Sequence, residues 1–423
     1  MRPPHPFVFV GLALAAVLAA GCGPSDSRPA AWADPGAGLV VGTDACVGSI
    51  RVDLFVDATT SMQGFVEGRT EYLDFLNGLE AAVSSGWTDD SLRYHKFGSV
   101  VRAIERDEFR GVRDAAFYRE RGIFERTNID AVVERVEPGR VAVVVTDLFQ
   151  DDGDVNAVVA SIESRVIQPG LAVGVLAVPS AFAGTVYDAP GGAYRYASTA
   201  DDPDSRRPFY ALLFGEAPCL RRMDEVIRSQ PYASDAQFLL IGPSIMEGFR
   251  VELAKPRDER GLSPRTPPGP NHFAFNMRDE AETARLEGTA VLDPLAAAPD
   301  VEAGRIALEA FRKALPAAGD SVATGELRLA DARRTGDTLR FSLAYAPEVE
   351  PGPYTYLVRL QTGDIRGLGV PAWIEDLSTT DPTAEVDANR TLNLATFVGD
   401  LLQASSSSRP PSVAQFILDI NRL

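Results

Sequence analysis

Five oxygen-bearing side chains stand at positions from which they can be brought together: Asp57, Thr59, Ser61, Thr127 and Asp147. A set made only of carboxylates and hydroxyls suits a hard divalent cation such as Mg²⁺, which prefers near-octahedral oxygen geometry and keeps several waters. The first three belong to Asp57-Ala58-Thr59-Thr60-Ser61-Met62, directly after the apolar run Ile50 to Val56. Thr127 lies in Arg126-Thr127-Asn128-Ile129-Asp130, and Asp147 ends the run from Arg140 to Thr146. Alone, the Asp-x-Thr-x-Ser string equally fits an Asx-turn leading into a helix cap. Three pieces in order, each at the end of its element, favour one metal centre.

These pieces resemble the metal-ion-dependent adhesion site of the von Willebrand factor A-type domain, whose signature is Asp-x-Ser-x-Ser, then a lone Thr, then a lone Asp. The resemblance implies that Thr59 and Ser61 bind the metal directly, that Thr127 joins when a ligand is engaged, and that Asp57 and Asp147 act mostly through water. It implies Mg²⁺, or Mn²⁺ or Ca²⁺, as the ion, and a partner that offers a carboxylate to it. Thr59 departs from the signature, its hydroxyl retained but its methyl crowding the loop.

The elements needed to position such a site are legible around it. Tyr72, Phe75, Leu76, Leu79 and Val83 recur at helical spacing within 69–84. Leu92 to Phe97 and Val100 to Ile104, split by Gly98-Ser99, predict a hairpin. A helix is expected from Thr127 to about Val136. Val141 to Val145 is a continuous apolar run of the kind buried on both faces of a parallel sheet. A helix at 155–167 and strands at 171–178 and 210–214 follow. The alternation predicts an α/β fold with a doubly wound, mostly parallel sheet, in which ligands sit beyond the carboxyl ends of the strands where the strand order reverses. Asp151-Asp152-Gly153-Asp154 is expected to supply a helix cap through Asp154, with the other acids solvated.

Met1-Arg2 precede an apolar stretch from Phe7 to Ala20, too short to span a bilayer comfortably and suited to a secretory signal. It ends in Leu18-Ala19-Ala20-Gly21-Cys22, similar to a bacterial lipobox, which implies a signal peptide over 1–21 and lipidation of Cys22. Residues 22–45 then form a Pro-, Ala-, Gly- and Ser-rich tether. The whole chain carries 41 Lys and Arg against 59 Asp and Glu, a net charge of −18. Cleavage after Gly21 removes Arg2 and no acid, giving 40 − 59 = −19. Such acidity excludes nonspecific nucleic-acid binding and opposes close approach to anionic headgroups.

Cys46 and Cys219 remain, an even pair in an oxidising compartment. A bridge between them would match some extracellular members of the family. The expected strand directions argue against it: Cys46 enters before the amino end of the first strand, and Cys219 follows the strand at 210–214, at what should be the opposite edge.

The von Willebrand A-like domain is expected over 46–243, with an excursion at 182–207 whose Tyr187, Tyr194 and Tyr196 either contact a partner or pair within a hairpin, the second being favoured. Beyond it, Phe249 to Leu253, His272 to Asn276, Leu339 to Tyr345 and Tyr354 to Leu360 alternate, the last two as partners. These predict a smaller β-sandwich-like domain over 244–366, immunoglobulin-like at the level of class. A C-terminal helical extension is expected over 367–423, with helices at 391–403 and 413–421. The functional expectation is a lipid-anchored protein of the bacterial cell envelope, periplasmic or surface-facing, that binds a protein partner through the metal. The alternatives are a Mg²⁺-dependent hydrolase with Asp57 as nucleophile, for which only His95 and His272 would be available in the mature chain, and a structural component with a vestigial site.

Overall fold

The apolar run before Asp57 becomes the central strand, β1 (Ser49–Asp57), of a seven-stranded sheet. In the computed structural model the described residues are 46, 48–148, 155–187, 192–199, 202–242, 250–266, 271–278, 280–291, 306–314, 322–336, 338–362, 370–380, 387–408 and 412–423. All of them belong to one unit, Leu39–Leu423. The signal segment, Cys22 and its tether, and the Asp151 to Asp154 cluster lie outside the described residues.

A 3-10 turn, Thr60–Phe65, follows β1 and leads to α1 (Glu71–Gly86). Thr70 caps this helix by accepting a bond from the Leu73 amide at 3.3 Å. The antiparallel pair β2 (Asp89–Phe97) and β3 (Val101–Ile104) comes next. Short turns and α2 (Ile129–Val133) lead into β4 (Val141–Thr146), every residue of which is buried. Then α3 (Val155–Ile162) continues as a π turn, Glu163–Ile167, before β5 (Ala172–Ser180). β6 (Ala183–Val186) and β7 (Tyr194–Ala197) pair as a separate hairpin. β8 (Arg207–Gly215), α4 (Ala217–Arg228) and β9 (Gln237–Ile241) complete the run.

The sheet order is β3-β2-β1-β4-β8-β5-β9. The parallel pairings expected from the buried runs hold for β2–β1 and β1–β4. The other half is antiparallel, because β8 inserts between β4 and β5 and runs against both, and β9 runs against β5. The fold is therefore α/β with a mixed sheet. α1 and α4 cover one face, with Tyr72, Phe75, Leu79, Leu220 and Met223 against Val52, Leu54 and Val143. α2, α3 and the π turn cover the other.

The reversed β8 corrects the cysteine argument. Phe214 lies beside Ala142, so β8 ends at the amino end of β4, next to the start of β1. Cys219, in the first turn of α4, thereby meets Cys46 in a disulfide with Cα atoms 5.3 Å apart.

The second lobe contains β10 (Arg250–Ala254), β11 (Leu262–Pro264), β12 (His272–Met277), β13 (Ala284–Val291), β14 (Ile306–Ala314), β15 (Val322–Ala323), β16 (Leu327–Thr335), β17 (Thr338–Tyr345) and β18 (Gly352–Thr362). After it come α5 (Ala372–Asp376), the short pair β19 (Ser378–Thr379) and β20 (Thr391–Leu392), α6 (Leu394–Ser408) and β21 (Ser412–Arg422). A four-stranded sheet, β10-β13-β17-β16, and a six-stranded sheet, β11-β12-β21-β18-β14-β15, enclose one apolar cluster. Two expectations change here. β17 pairs with β13 and β16 while β18 pairs with β14 and β21, so the stretches expected to be partners lie in opposite sheets.

The expected helix at 413–421 is instead the strand β21, at the centre of the six-stranded sheet. Ala414, Phe416, Leu418 and Ile420 alternate into the core, a period of two that a short apolar run shares with helical spacing until a sheet claims it. α6 belongs to neither the β lobe nor a separate extension. Leu394, Phe397, Val398 and Leu401 pack into the same cluster as α2 and α3, on the α/β sheet.

Candidate metal centre

β1 and β4 lie side by side and parallel, with Val56 opposite Val145, so their carboxyl ends emerge together. From β1 the chain goes outward to β2 and β3 and returns to β4 on the other side of β1, which makes this the point where the strand order reverses. Asp57 is the last residue of β1, and Asp147 immediately follows β4.

Thr59 and Ser61 are brought back over Asp57 by a tight turn. The Thr59 amide donates to Asp57 Oδ1 at 3.0 Å and its hydroxyl donates to the same oxygen at 2.7 Å. Thr59 Oγ1 lies 3.1 Å from Ser61 Oγ and 3.4 Å from Thr127 Oγ1. Thr127 also donates to Asp57 Oδ2 at 3.3 Å. It arrives on a loop that crosses the β2–β3 turn, where the Asn128 amide bonds Gly98 O and the Ser99 amide bonds Ile123 O. A Cβ at Gly98 would sit 1.9 Å from Ile123 O, so only glycine lets this loop close. α2 starts at Ile129 and is capped by Asn128, two residues later than the sequence suggests.

Asp57, Thr59, Ser61 and Thr127 are thus joined directly. Asp147 is buried beside them, and its charge acts on Asp57. Burial above all, and then Asp147, push the Asp57 carboxyl up to about 7, against the opposing pull of the bonds from Thr146 and Thr59.

Thr146 was not among the residues singled out from the sequence. Its hydroxyl donates to Asp57 Oδ2 at 2.7 Å and accepts from the Leu148 amide at 3.1 Å, tying the two strand ends together. Leu148 adopts φ +61°, a left-handed conformation costly for a side chain with a Cβ. The parallel register was the available signal: one step past Val56 and Val145 brings Asp57 opposite Thr146. Tyr72 and Tyr118 lie behind the centre, their hydroxyls 3.1 Å apart, and Tyr118 donates to Val112 O at 2.8 Å. Burial raises the Tyr72 phenol far above its usual range, with Tyr118 and the two aspartates adding to it.

Every hydrogen bond to Asp57 comes from a hydroxyl or a backbone amide. Three other buried carboxylates are paired with guanidinium groups: Asp53 with Arg140, Asp224 with Arg228, and Glu326 with Arg312. Among the described residues there is no cluster of three or more His, Cys, Asp or Glu suited to a metal; the centre at Asp57 is built from two carboxylates and three hydroxyls. This donor chemistry fits a hard cation held by oxygen. His95 stacks on Phe55 at 4.4 Å and lies near Asp53, further down the sheet, and His272 bonds Asp419 at 2.9 Å in the β lobe. The hairpin β6–β7 has Tyr194 opposite Val186 and Tyr196 opposite Gly184, and both rings pack on the core.

No protein-family model matches this chain, and no curated protein matches it.

Proposed function

We propose that the α/β lobe is a von Willebrand factor A-type domain whose centre holds a divalent cation, Mg²⁺ first, and through it binds a carboxylate of a partner protein. The residues that would hold the ion are Thr59, Ser61 and Thr127, with Asp57 and Asp147 supplying negative charge beside them. When bound, the ion supplies Lewis acidity and an exchangeable position for an incoming carboxylate.

The observation that carries this reading is the burial of Asp57 with no cationic side chain bonded to it among the described residues, next to a second carboxylate. Burying a carboxylate that way is unfavourable unless positive charge arrives from elsewhere. The reading extends to a lipid-anchored envelope protein, supported by the Leu18 to Cys22 segment and the tether that follows it.

Calorimetric titration of the mature chain with Mg²⁺, Mn²⁺ and Ca²⁺ tests it. Saturable binding is expected in the wild type and its loss in Ser61→Ala and Asp57→Ala. Absence of heat and of any thermal shift with all three ions would leave the structural alternative, a vestigial site, in its place.

A further inference from the structure

The turn that carries Ser61 also holds a guanidinium through a neutral amide. Gln63, two residues after Ser61 in the 3-10 turn, accepts from Arg119 Nε at 3.3 Å and Nη2 at 3.0 Å through the single oxygen Oε1. Its other end, Nε2, donates to Tyr118 O at 3.4 Å. Gln63 thus clamps an exposed Arg119 beside the turn that contributes Thr59 and Ser61. No acid pairs with Arg119 among the described residues, and Nη1 remains open for a further partner.

Neighbouring residues reinforce this. Glu120 is turned away, committed to the buried Lys96 and to Arg102. Arg121 is exposed beside it. The stretch Arg119-Glu120-Arg121 therefore shows two positive groups to solvent while its acid, itself partly exposed, is paired with Lys96 and Arg102. Other arginines of this lobe have their charge answered by an acid, as Arg106 by Glu80 and Arg206 by Glu71, whereas Arg119, like Arg113 on Asn77, is held by a neutral amide oxygen. In a chain of net charge −18, positive charge bonded to the turn that carries Ser61 selects for an acidic partner.

We propose that Arg119, clamped by Gln63, is a second recognition point that takes an acidic side chain adjacent to the one reaching the cation, so that the partner is a protein segment with two neighbouring carboxylates. This rests on the metal reading above and adds to it the chemistry of the partner. A guanidinium fixed by a neutral amide keeps its charge and its fork of N–H donors for a carboxylate. The strong overall acidity disfavours the other source of such anions, a phospholipid surface.

The test uses the full chain with saturating Mg²⁺ and two short peptides, one with a single Asp among Gly and Ser, the other with Asp at two alternate positions. In the wild type the two-Asp peptide should bind about tenfold more tightly, a difference of roughly 1.4 kcal/mol. Arg119→Gln should erase that difference while leaving the one-Asp peptide and the Mg²⁺ titration unchanged. Equal affinity of both peptides in the wild type, or no detectable binding of the two-Asp peptide while Mg²⁺ binds, overturns the proposal. So does an Arg119→Gln effect of the same size on both peptides, or Arg119-dependent binding to phosphatidylglycerol vesicles in place of peptide. If Mg²⁺ itself gives no heat, the metal reading fails, and this proposal fails with it for a separately visible reason.

Discussion

Two of the wholly buried carboxylates among the described residues, Glu326 and Asp57, stand under opposite arrangements. Glu326, in the β lobe, accepts from Arg312 at 2.8 Å, Thr324 Oγ1 at 3.1 Å, Tyr356 OH at 3.1 Å and the Glu348 amide at 2.7 Å. Its charge is met by a guanidinium and its lone pairs by donors. Asp57, in the α/β lobe, is met by hydroxyls and an amide and faces Asp147. A buried charge with its counter-charge built in serves structure. One without it is strained until something brings the missing charge, and it is at functional sites that such strain is kept.

The comparison must be made in the intact chain, since the lobes share their C-terminal segment. α6 completes the helical cover of the α/β sheet, and β21 fills the middle of the six-stranded sheet between β12 and β18. Arg207 donates to Ala388 O and Arg390 O, and Tyr210 bonds Thr391, fastening the same segment to β8. Ending the chain at residue 366 should therefore unfold both lobes. Circular dichroism would show loss of helix and sheet together; a cooperative transition retained by either lobe would refute the shared-segment argument.

Point substitutions then separate the two carboxylates by sign. Glu326→Gln removes the charge that Arg312 answers and should cost about 3–5 kcal/mol, as expected when one partner of a buried pair is lost. Asp57→Asn removes an unanswered charge and, with chelator present at neutral pH or above, should raise stability by roughly 1–3 kcal/mol. Chemical denaturation of the two variants checks both. A destabilised Asp57→Asn in chelator would mean that Asp57 is as structural as Glu326.

Much of this contrast was legible in the sequence on one side and little on the other. The helices and strands around Asp57 have strong local signals: the buried runs Ile50 to Val56 and Val141 to Val145, and the helical spacing from Tyr72 to Val83. Three hydroxyls and two acids at their ends could be read as one centre, and four of those five side chains are joined by direct hydrogen bonds. What escaped depended on pairing partners distant in sequence. The antiparallel insertion of β8, which delivers Cys219 to Cys46, cannot be seen in Tyr210 to Phe214 alone. The assignment of 413–421 as a helix failed for the same reason, because its alternation acquires meaning only between β12 and β18. Glu326 and Arg312 sit in an ordinary alternating stretch and an ordinary strand, and nothing local marks them as a pair.

The smallest effect is also the one that bears most directly on the difference between the two sites. With the Asp57 carboxyl pushed up to about 7 by burial and Asp147, the native state without metal holds a proton that the unfolded chain gives up near the ordinary carboxylate value. Between those two limits the native state binds more protons, so stability must fall as pH rises. The contribution is complete below the unfolded value and lost as pH passes through about 7. A bound cation competes for the same carboxylate, so Mg²⁺ affinity should increase over that window and level off above it. Thermal melts at pH 5 and pH 8 in chelator and in Mg²⁺ should therefore show the stabilisation by Mg²⁺ to be larger at pH 8, and Asp57→Asn should abolish both the pH trend assigned to this group and the metal increment. A Mg²⁺ increment that is equal at both pH values would mean that the ion, if bound, does not draw on the charge of Asp57.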